Sequence, residues 1–552
     1  MKHFFLIPLI LLSLSLSGCR EGISTSEQDK APAGYLELLE AYEEGLSFSS
    51  AEHVSQGCVL TFGDGSMISV PETSFIIDDC TGKDPVKCWV TSGWWCKDGL
   101  VLGIKADSSL SREEALPVYV YFNEMTLYMK LSNYEFLTFS SEALEEERDR
   151  LEKLERMQNL PVIRIKTDGN AQILDKKNYV KGSITISDPE GLYGDTEDFT
   201  ARMGIRGRGN STWGWPKKPW KVKLDEKASL LGMPADKEWA LLANYSDRTL
   251  MRNIVALKIS EICGFKWTPR LRSVEVYLNN EYQGVYTLCE HKKVSSDRVD
   301  IDVADESDAP EEGGYYLEME ENLDETTCWR TGMGVPMMFS DPEVPTPAQL
   351  EYVKSLFADF EACLYSSYLA DPVKGYAGYI DVDSFINYYI IQELTKNIDG
   401  NLRKSSFITI EAGGKMEMYH VWDFDLSLGN CGYFNGTIGN GPEGFWIKDY
   451  TSGSWRGDNW FNRMMKDPAF VARLKERWNE LMPELSKITD FIEEQAIVLD
   501  KAQKRNFNKW DINASVDWVK FPSLGSYEKE VDYLKYFYSE RLGWLDKEID
   551  SL

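Results

Sequence analysis

The stretch from Ile205 to Leu224 (Ile-Arg-Gly-Arg-Gly-Asn-Ser-Thr-Trp-Gly-Trp-Pro-Lys-Lys-Pro-Trp-Lys-Val-Lys-Leu) constrains this chain more than any other. Gly207 and Gly209 free the backbone to turn tightly and to bring N–H groups close to an anion. Arg206, Arg208, Lys217, Lys218, Lys221 and Lys223 supply charge that would neutralise one. Beyond Pro219 the residues alternate: Lys221 and Lys223 fall on one face, Val222 and Leu224 on the other, the period of a half-buried strand. A glycine-rich basic loop feeding a strand is either a phosphate site or a solvated basic turn. It is not a Walker A loop, because GxxxxGK[ST] is absent, and Thr212 stands where GxGxxG needs its third glycine.

The rest of the chain makes those cations conspicuous. Lys and Arg number 60 and Asp and Glu 89, for a net charge of −29. Such a surface repels a phosphate backbone, so nucleic acid is excluded as a general partner. An apolar fraction of 43%, with 17 Trp, 28 Tyr and 24 Phe, is too rich for a disordered chain. The 552 residues suffice for three to four domains of about 150 residues each. Only four histidines occur, His3, His53, His291 and His420, with no common spacing. Chemistry falls to carboxylates, Lys, Arg, Asn and Ser.

Met1-Lys2-His3 precedes an apolar run from Phe4 to Leu16, too short to span a bilayer and suited to a signal-peptide core. It ends in Leu16-Ser17-Gly18-Cys19, which resembles a bacterial lipobox, so residues 1–18 are expected to be removed and Cys19 to carry the lipid. The expected location is the cell envelope, on the outer membrane or cell surface, anchored to the membrane through that lipid. Residues 19–34 are small and polar and read as a flexible tether. Residues 35–140 read as a small β-rich domain: Tyr35 to Glu44 is a short amphipathic helix, and alternating runs follow from residue 57, with a hairpin at Gly63-Asp64-Gly65. Cys58, Cys80, Cys88 and Cys96 lie within 39 residues and favour two disulfides in an exported protein, while Cys263, Cys289, Cys328, Cys363 and Cys431 are scattered and read as buried small hydrophobes. Trp89, Trp94 and Trp95 form either a sheet core or a sugar-stacking platform. A charged linker helix spans Ser141 to Gln158, and a larger domain begins near Pro161, β-rich at first and helical at its end (Pro468 to Met482, stopped by Pro483, then Ile488 to Lys509 and Ser526 to Ile549). Within it Asp247 reads as the N-cap of a helix from Leu250 to Cys263 closed by Gly264, and the runs 274–278 and 284–290 read as a hairpin around Asn279-Asn280.

The acidic counterpart of the basic loop lies in the helical half. A helix from Val382 ends in Asn397-Ile398-Asp399-Gly400, and a strand delivers Trp422-Asp423-Phe424-Asp425. On an extended backbone Asp423 and Asp425 point the same way and would face one hard cation, Mg²⁺ or Mn²⁺. Asp399 lies 24 residues earlier, where it would reach across a cleft as a base; alternatively it caps a turn and Asp423 pairs with a core Arg.

Seven strings taken in order resemble the CotH-type (spore-coat protein H) kinase family. They are Arg206–Ser211 with Lys217–Leu224, Leu231-Gly-Met233 and Leu241-Leu-Ala-Asn244, Leu250-Met-Arg-Asn253, Gly284-Val-Tyr286 with Glu290, Asn397–Gly400, and Trp422–Asp425. The resemblance runs over roughly 160–480 and leaves 20–150 to be read alone. It implies an α+β fold: a divergent two-lobed protein-kinase-like domain over 161–552, with an N-lobe of about 161–305 and a C-lobe of about 306–552, preceded by the small all-β domain. It implies ATP and a divalent cation between the lobes. Arg206, Gly207, Gly209 and Asn210 would cover the nucleotide phosphates, and Lys221 or Lys223 would contact them, oriented by Glu290 or by Glu261. Asp399 would be the catalytic base; Asp423 would hold the metal, helped by Asp425 or Asn430. Arg403 and Lys404 stand where an ordinary kinase has its second metal-binding Asn. The implied function is an exported, lipid-anchored atypical kinase that phosphorylates Ser or Thr of a protein. Two alternatives stand beside it: a non-catalytic surface lipoprotein using the scaffold for adhesion or glycan binding, and a metal-dependent phosphotransferase or hydrolase acting on a surface glycan.

Overall fold

The structure is a computed structural model of the chain. It describes most of the regular segments between residues 35 and 138, and residues 159–552 except 195–196, 322–326, 433–440, 449–457, 515 and 517–520. Two compact units divide it, residues 1–153 and 154–552.

In the first unit the described segments are a helix, Tyr35–Glu43, and strands in three sheets. Phe48–Val54, Gly57–Phe62 and Met67–Pro71 form an antiparallel meander, with Gly65 at φ +86° in the turn between the last two. Phe136–Thr138, Thr126–Leu131, Pro117–Asn123 and Phe75–Ile77 form a second sheet, and Cys88–Thr91, Trp94–Lys97 and Leu100–Lys105 a third. The expectations on Cys19, the tether, the Ser141–Gln158 helix, the four clustered cysteines and the side chains of Trp89, Trp94 and Trp95 lie outside the described residues.

The second unit opens with a closed barrel. Its strands are β1 (Val162–Thr167), β2 (Val180–Ser187), β3 (Phe199–Gly207), β4 (Trp220–Leu230), β5 (Met233–Leu242), β6 (Leu271–Leu278) and β7 (Glu281–Glu290), in the order β1-β2-β3-β4-β5-β7-β6. Parallel pairing of β1 with β6, Val162 opposite Glu275 through Ile165 opposite Leu278, closes the ring. The closure follows from period-two patterning: Ile163, Ile165, Ile184, Ile186, Met203, Ile205, Val222, Leu224, Trp239, Leu241, Val274, Val276, Tyr286 and Leu288 all turn inward and are buried together. Two hairpin turns use left-handed residues, Leu231 (φ +50°) with Gly232 (+72°) and Asn279 (+50°) with Asn280 (+68°), the geometry that suits strand twist.

Helix α1 (Arg252–Cys263) bridges β5 to β6 and ends on Gly264 at φ +73°. Asp247, expected as its cap, instead folds the approach: its carboxylate accepts the N–H groups of Thr249 (3.0 Å) and Arg252 (2.8 Å) and pairs with the Arg252 guanidinium (2.5 Å).

The remainder packs a sheet of β8 (Tyr315–Met319), β9 (Trp329–Arg330), β10 (Pro336–Asp341), β11 (Ser406–Ile410) and β12 (Met416–Val421), ordered β9-β10-β8-β11-β12, against helices. These are α2 (Pro347–Leu364), α3 (Val382–Thr395), α4 (Trp460–Met464), α5 (Pro468–Leu485), α6 (Ile488–Lys509) and α7 (Tyr527–Ser551). The whole is an α+β fold. α5 continues past Pro483, which was expected to stop it. That proline stands exposed in the last turn, where its missing N–H removes one hydrogen bond and no more. Cys263, Cys289, Cys363 and Cys431 are buried as expected, but Cys328 is half-exposed. Among the described residues no helix is long and apolar enough to cross a membrane.

Candidate active site

A cleft of about 370 Å³ lies against the outer face of the barrel. Because inward residues alternate with outward ones, β4, β5 and β7 present Lys221, Ala240 and Cys289 as one cross-strand row on that face. Pro219, Leu242, Cys289 and Trp422 supply its apolar lining. Asp399, Asp423 and Asp425 line the same cleft, together with Arg208, Gly209 and Asn210 of the glycine-rich loop.

Gly209 sits at φ +84°, and a Cβ there would lie 2.0 Å from Thr212 Oγ1, so the loop closes only with glycine. The Arg208 N–H donates to Pro219 O (3.3 Å), and its guanidinium lies 6.0 Å from the Trp422 ring centroid. Among the described residues no carboxylate pairs with it.

The other cations of the stretch are placed elsewhere. Arg206 donates to Lys176 O and lies over the Tyr179 ring (5.0 Å); it does not line the cleft. Gly207 also stands outside it and leaves room for Trp213, whose ring a Cβ would approach to 2.5 Å. Lys217 is buried, donating to Val285 O and to Asn506 Oδ1 (2.9 Å), and burial pushes its amine well below the ordinary range. Lys221 and Lys223 both pair with Glu238, at 2.8 and 3.2 Å, and neither lines the cleft. Glu290, the expected orienting carboxylate, is fully buried and pairs with Arg270 (3.1 Å), while Glu261 is exposed and pairs with Lys258 (2.9 Å). Glu238 therefore partners both lysines. The residue patterns missed it, because only the register that sets Lys223 opposite Glu238 exposes the match.

The acidic side is built by the ends of α3 and β12. After α3, Lys396 turns left-handed (φ +47°), and the Asp399 N–H donates to Asn397 Oδ1 (3.3 Å). The Asp399 carboxylate pairs with Arg403 at 3.1 Å, and Arg403 also reaches Glu321 at 3.1 Å. Burial raises the Asp399 pKa; the Asp423 charge raises it further, and Lys404 and Arg403 hold it back. Asp423 itself sits at φ +65°, and its carbonyl accepts from Asn397 Nδ2 (3.2 Å). Asp425 accepts from Ser246 Oγ at 3.0 Å. Burial, then repulsion by Asp423, pushes its carboxyl well above the ordinary range. Asn430 is a staple: its Nδ2 donates to Ser246 O (3.0 Å) and Asp425 O (2.7 Å).

Three further charged groups line the cleft that residue patterns did not single out, Lys292, Glu318 and Glu320; Lys292 pairs with Glu318 and lies 4.5 Å from the Phe407 ring centroid. Lys292 leaves β7 and Glu318 sits on β8, so their meeting depends on how barrel and sheet adjoin. Neither His291 nor His420 lines the cleft. His420 is buried against Phe407, its pKa pushed down to about 3 by burial.

The donor set fits a hard divalent cation in part. The Asp423 charge is one of the causes that push the Asp425 carboxyl up, and a cation would relieve that repulsion. Among the described residues no group of three or more His, Cys, Asp or Glu could hold a metal.

A family model described as CotH kinase protein matches residues 205–545, from the end of β3 to the last helix. No curated protein matches the chain.

Proposed function

The chain belongs to the CotH kinase family, and on that premise we propose that it is an atypical protein kinase transferring the γ-phosphate of ATP to a Ser or Thr hydroxyl of a protein. The observation that carries the reading is the meeting of Asp399, Asp423 and Asp425 in one cleft with the Gly209 loop and Arg208. Barrel and helical half would act as two lobes with the nucleotide between them. The apolar lining of Leu242, Cys289 and Trp422 suits a flat base. Gly209 and Asn210 would offer backbone N–H groups to the phosphates, with Arg208 as the neutralising charge. Asp423 and Asp425 would hold Mg²⁺ or Mn²⁺, whose charge would offset the charge that builds on the phosphate oxygens. Asp399 accepts the proton of the acceptor hydroxyl as that oxygen bonds to phosphorus and the bond to the ADP leaving oxygen breaks. Its raised pKa suits that work, and its pair with Arg403 favours the ionised form. Lys221 and Lys223 are tied to Glu238 beside the cleft and contribute no group to its lining.

Export through residues 1–18 and lipid attachment at Cys19 belong to the same proposal. They put the enzyme at the cell envelope and make envelope proteins its acceptors.

The test is label transfer from γ-labelled ATP by the 20–552 chain with Mg²⁺ or Mn²⁺. Asp423→Ala and Asp399→Asn should each lose at least about a hundredfold while keeping their melting temperatures. A wild-type chain that takes no label and shows no ATP-dependent rise in melting temperature would leave the fold as an adhesion scaffold.

A further inference from the structure

Asp423 holds a backbone conformation that an L-residue rarely adopts, and a carboxylate presented that way needs neighbours that fix it. Asn397 fixes the carbonyl side. The amide side is held from a different part of the chain: the Phe424 N–H donates to Asn253 Oδ1 at 2.8 Å, and Asn253 belongs to the first turn of α1. The segment leading into α1 adds more. Ser246 Oγ donates to Asp425 Oδ2 (3.0 Å), Ser246 O accepts from Asn430 Nδ2 (3.0 Å), and Arg252 Nε donates to Leu428 O (3.3 Å). Residues 246–253 thus make four hydrogen bonds to residues 424–430. Phe424 is fully buried and Asn253 and Ser246 nearly so, and water competes poorly for these bonds.

In an ordinary protein kinase a helix Glu pairs with the Lys that contacts the nucleotide phosphates. Here Glu261, the one carboxylate on α1, is exposed and pairs with Lys258 of its own helix, while Lys221 and Lys223 pair with Glu238 on β5. We propose that Asn253 and Ser246 are positioning residues for the acidic pair, so that the first turn of α1 sets the cation site through the Phe424 amide and the segment leading into α1 sets it through the Asp425 carboxylate. This rests on the reading of Asp423 and Asp425 as the cation pair. Arg252 braces the segment from behind, and a small displacement of α1 would move both carboxylates together.

The experiment uses the full chain and Mn²⁺ alone, titrated by its EPR signal, together with hydrogen exchange at the Phe424 amide. Asn253→Leu keeps the volume and removes the acceptor. It should weaken Mn²⁺ at least tenfold, speed Phe424 exchange at least tenfold, and lower kcat while the KM for ATP stays within about twofold. Asn253→Asp keeps an acceptor oxygen and should restore both readouts. Ser246→Ala, a smaller change in case Asn253→Leu folds poorly, should weaken Mn²⁺ severalfold. Wild-type Mn²⁺ affinity in Asn253→Leu, or an Asn253→Asp variant as weak as Asn253→Leu, overturns the positioning role while leaving the kinase reading in place. A wild-type chain that binds Mn²⁺ no better than Asp423→Ala overturns the cation pair and this proposal with it.

Discussion

A carboxylate that must collect a proton from a hydroxyl works best when its own pKa has been lifted toward that of the medium. Asp399 is lifted by burial and by Asp423 and is restrained by Lys404 and Arg403. Activity needs the ionised form, so the acid limb of the pH–rate profile should lie above the ordinary Asp range. Lys404→Met removes a restraining charge and should move that limb to higher pH; an unmoved limb would take Asp399 out of the proton's path. Asp425 gives a stability test of the opposite kind. Its folded pKa lies well above the ordinary 3.8, so folding favours its protonated form, and stability is lost as pH rises from the unfolded value through the folded one. At neutral pH without divalent cation, Asp425→Asn should raise the melting temperature by about 2 °C or more and abolish any further rise on adding Mn²⁺. These acids were legible in the sequence because each sits in a short contiguous string at the end of a helix or strand. Glu238 and Lys292 were not, because what makes them partners is cross-strand register and the meeting of β7 with β8.

Elements supply what single residues cannot: a loop that closes, a helix that starts in the right place. The tip from Arg208 to Pro219 closes because Gly209 is left-handed and lets Thr212 Oγ1 occupy the space of a side chain. Gly209→Ala would push the tip off the cleft and should raise the KM for ATP by about tenfold or more, with little loss of melting temperature, since the strain falls on a surface loop. Steady-state kinetics at fixed acceptor concentration measures it. The strands flanking that tip were readable from alternation, and the hairpin at Asn279-Asn280 from its turn residues. What the pattern could not divide was the labour among six cations. A Lys that ends up buried against Asn506 and one that ends up in an exposed ion pair look alike until the chain is closed over one of them. The start of α1 was misplaced for a related reason: Asp247 has cap chemistry, but the buried Arg252 draws its carboxylate inward and delays the helix.

At the scale of the whole molecule, the helical half is tied together by groups far apart in sequence. The Glu393 carboxylate on α3 meets the Arg541 guanidinium on α7 at 2.9 Å, both essentially without exposure, and accepts the Trp446 N–H at 2.7 Å. Arg541 in turn donates to the carbonyls of Pro442 and Gly444, both at 2.6 Å. Arg541→Met would strand a buried carboxylate and should cost about 3–5 kcal/mol in urea denaturation, far more than loss of any surface pair. Nothing within a reading window links positions 148 apart, and that pair was beyond pattern reading. The alternation that built the barrel, by contrast, was visible throughout. The family match begins at Ile205, inside β3, whereas β1 and β2 lie upstream and one of them closes the ring. The inherited signature and the unit that folds therefore have different boundaries. Cut at the signature, the polypeptide would lose four isoleucines from its interior and bare the edges of β3 and β6 for pairing with other chains, so it should come out of cells as aggregate; begun at residue 159, it should come out soluble.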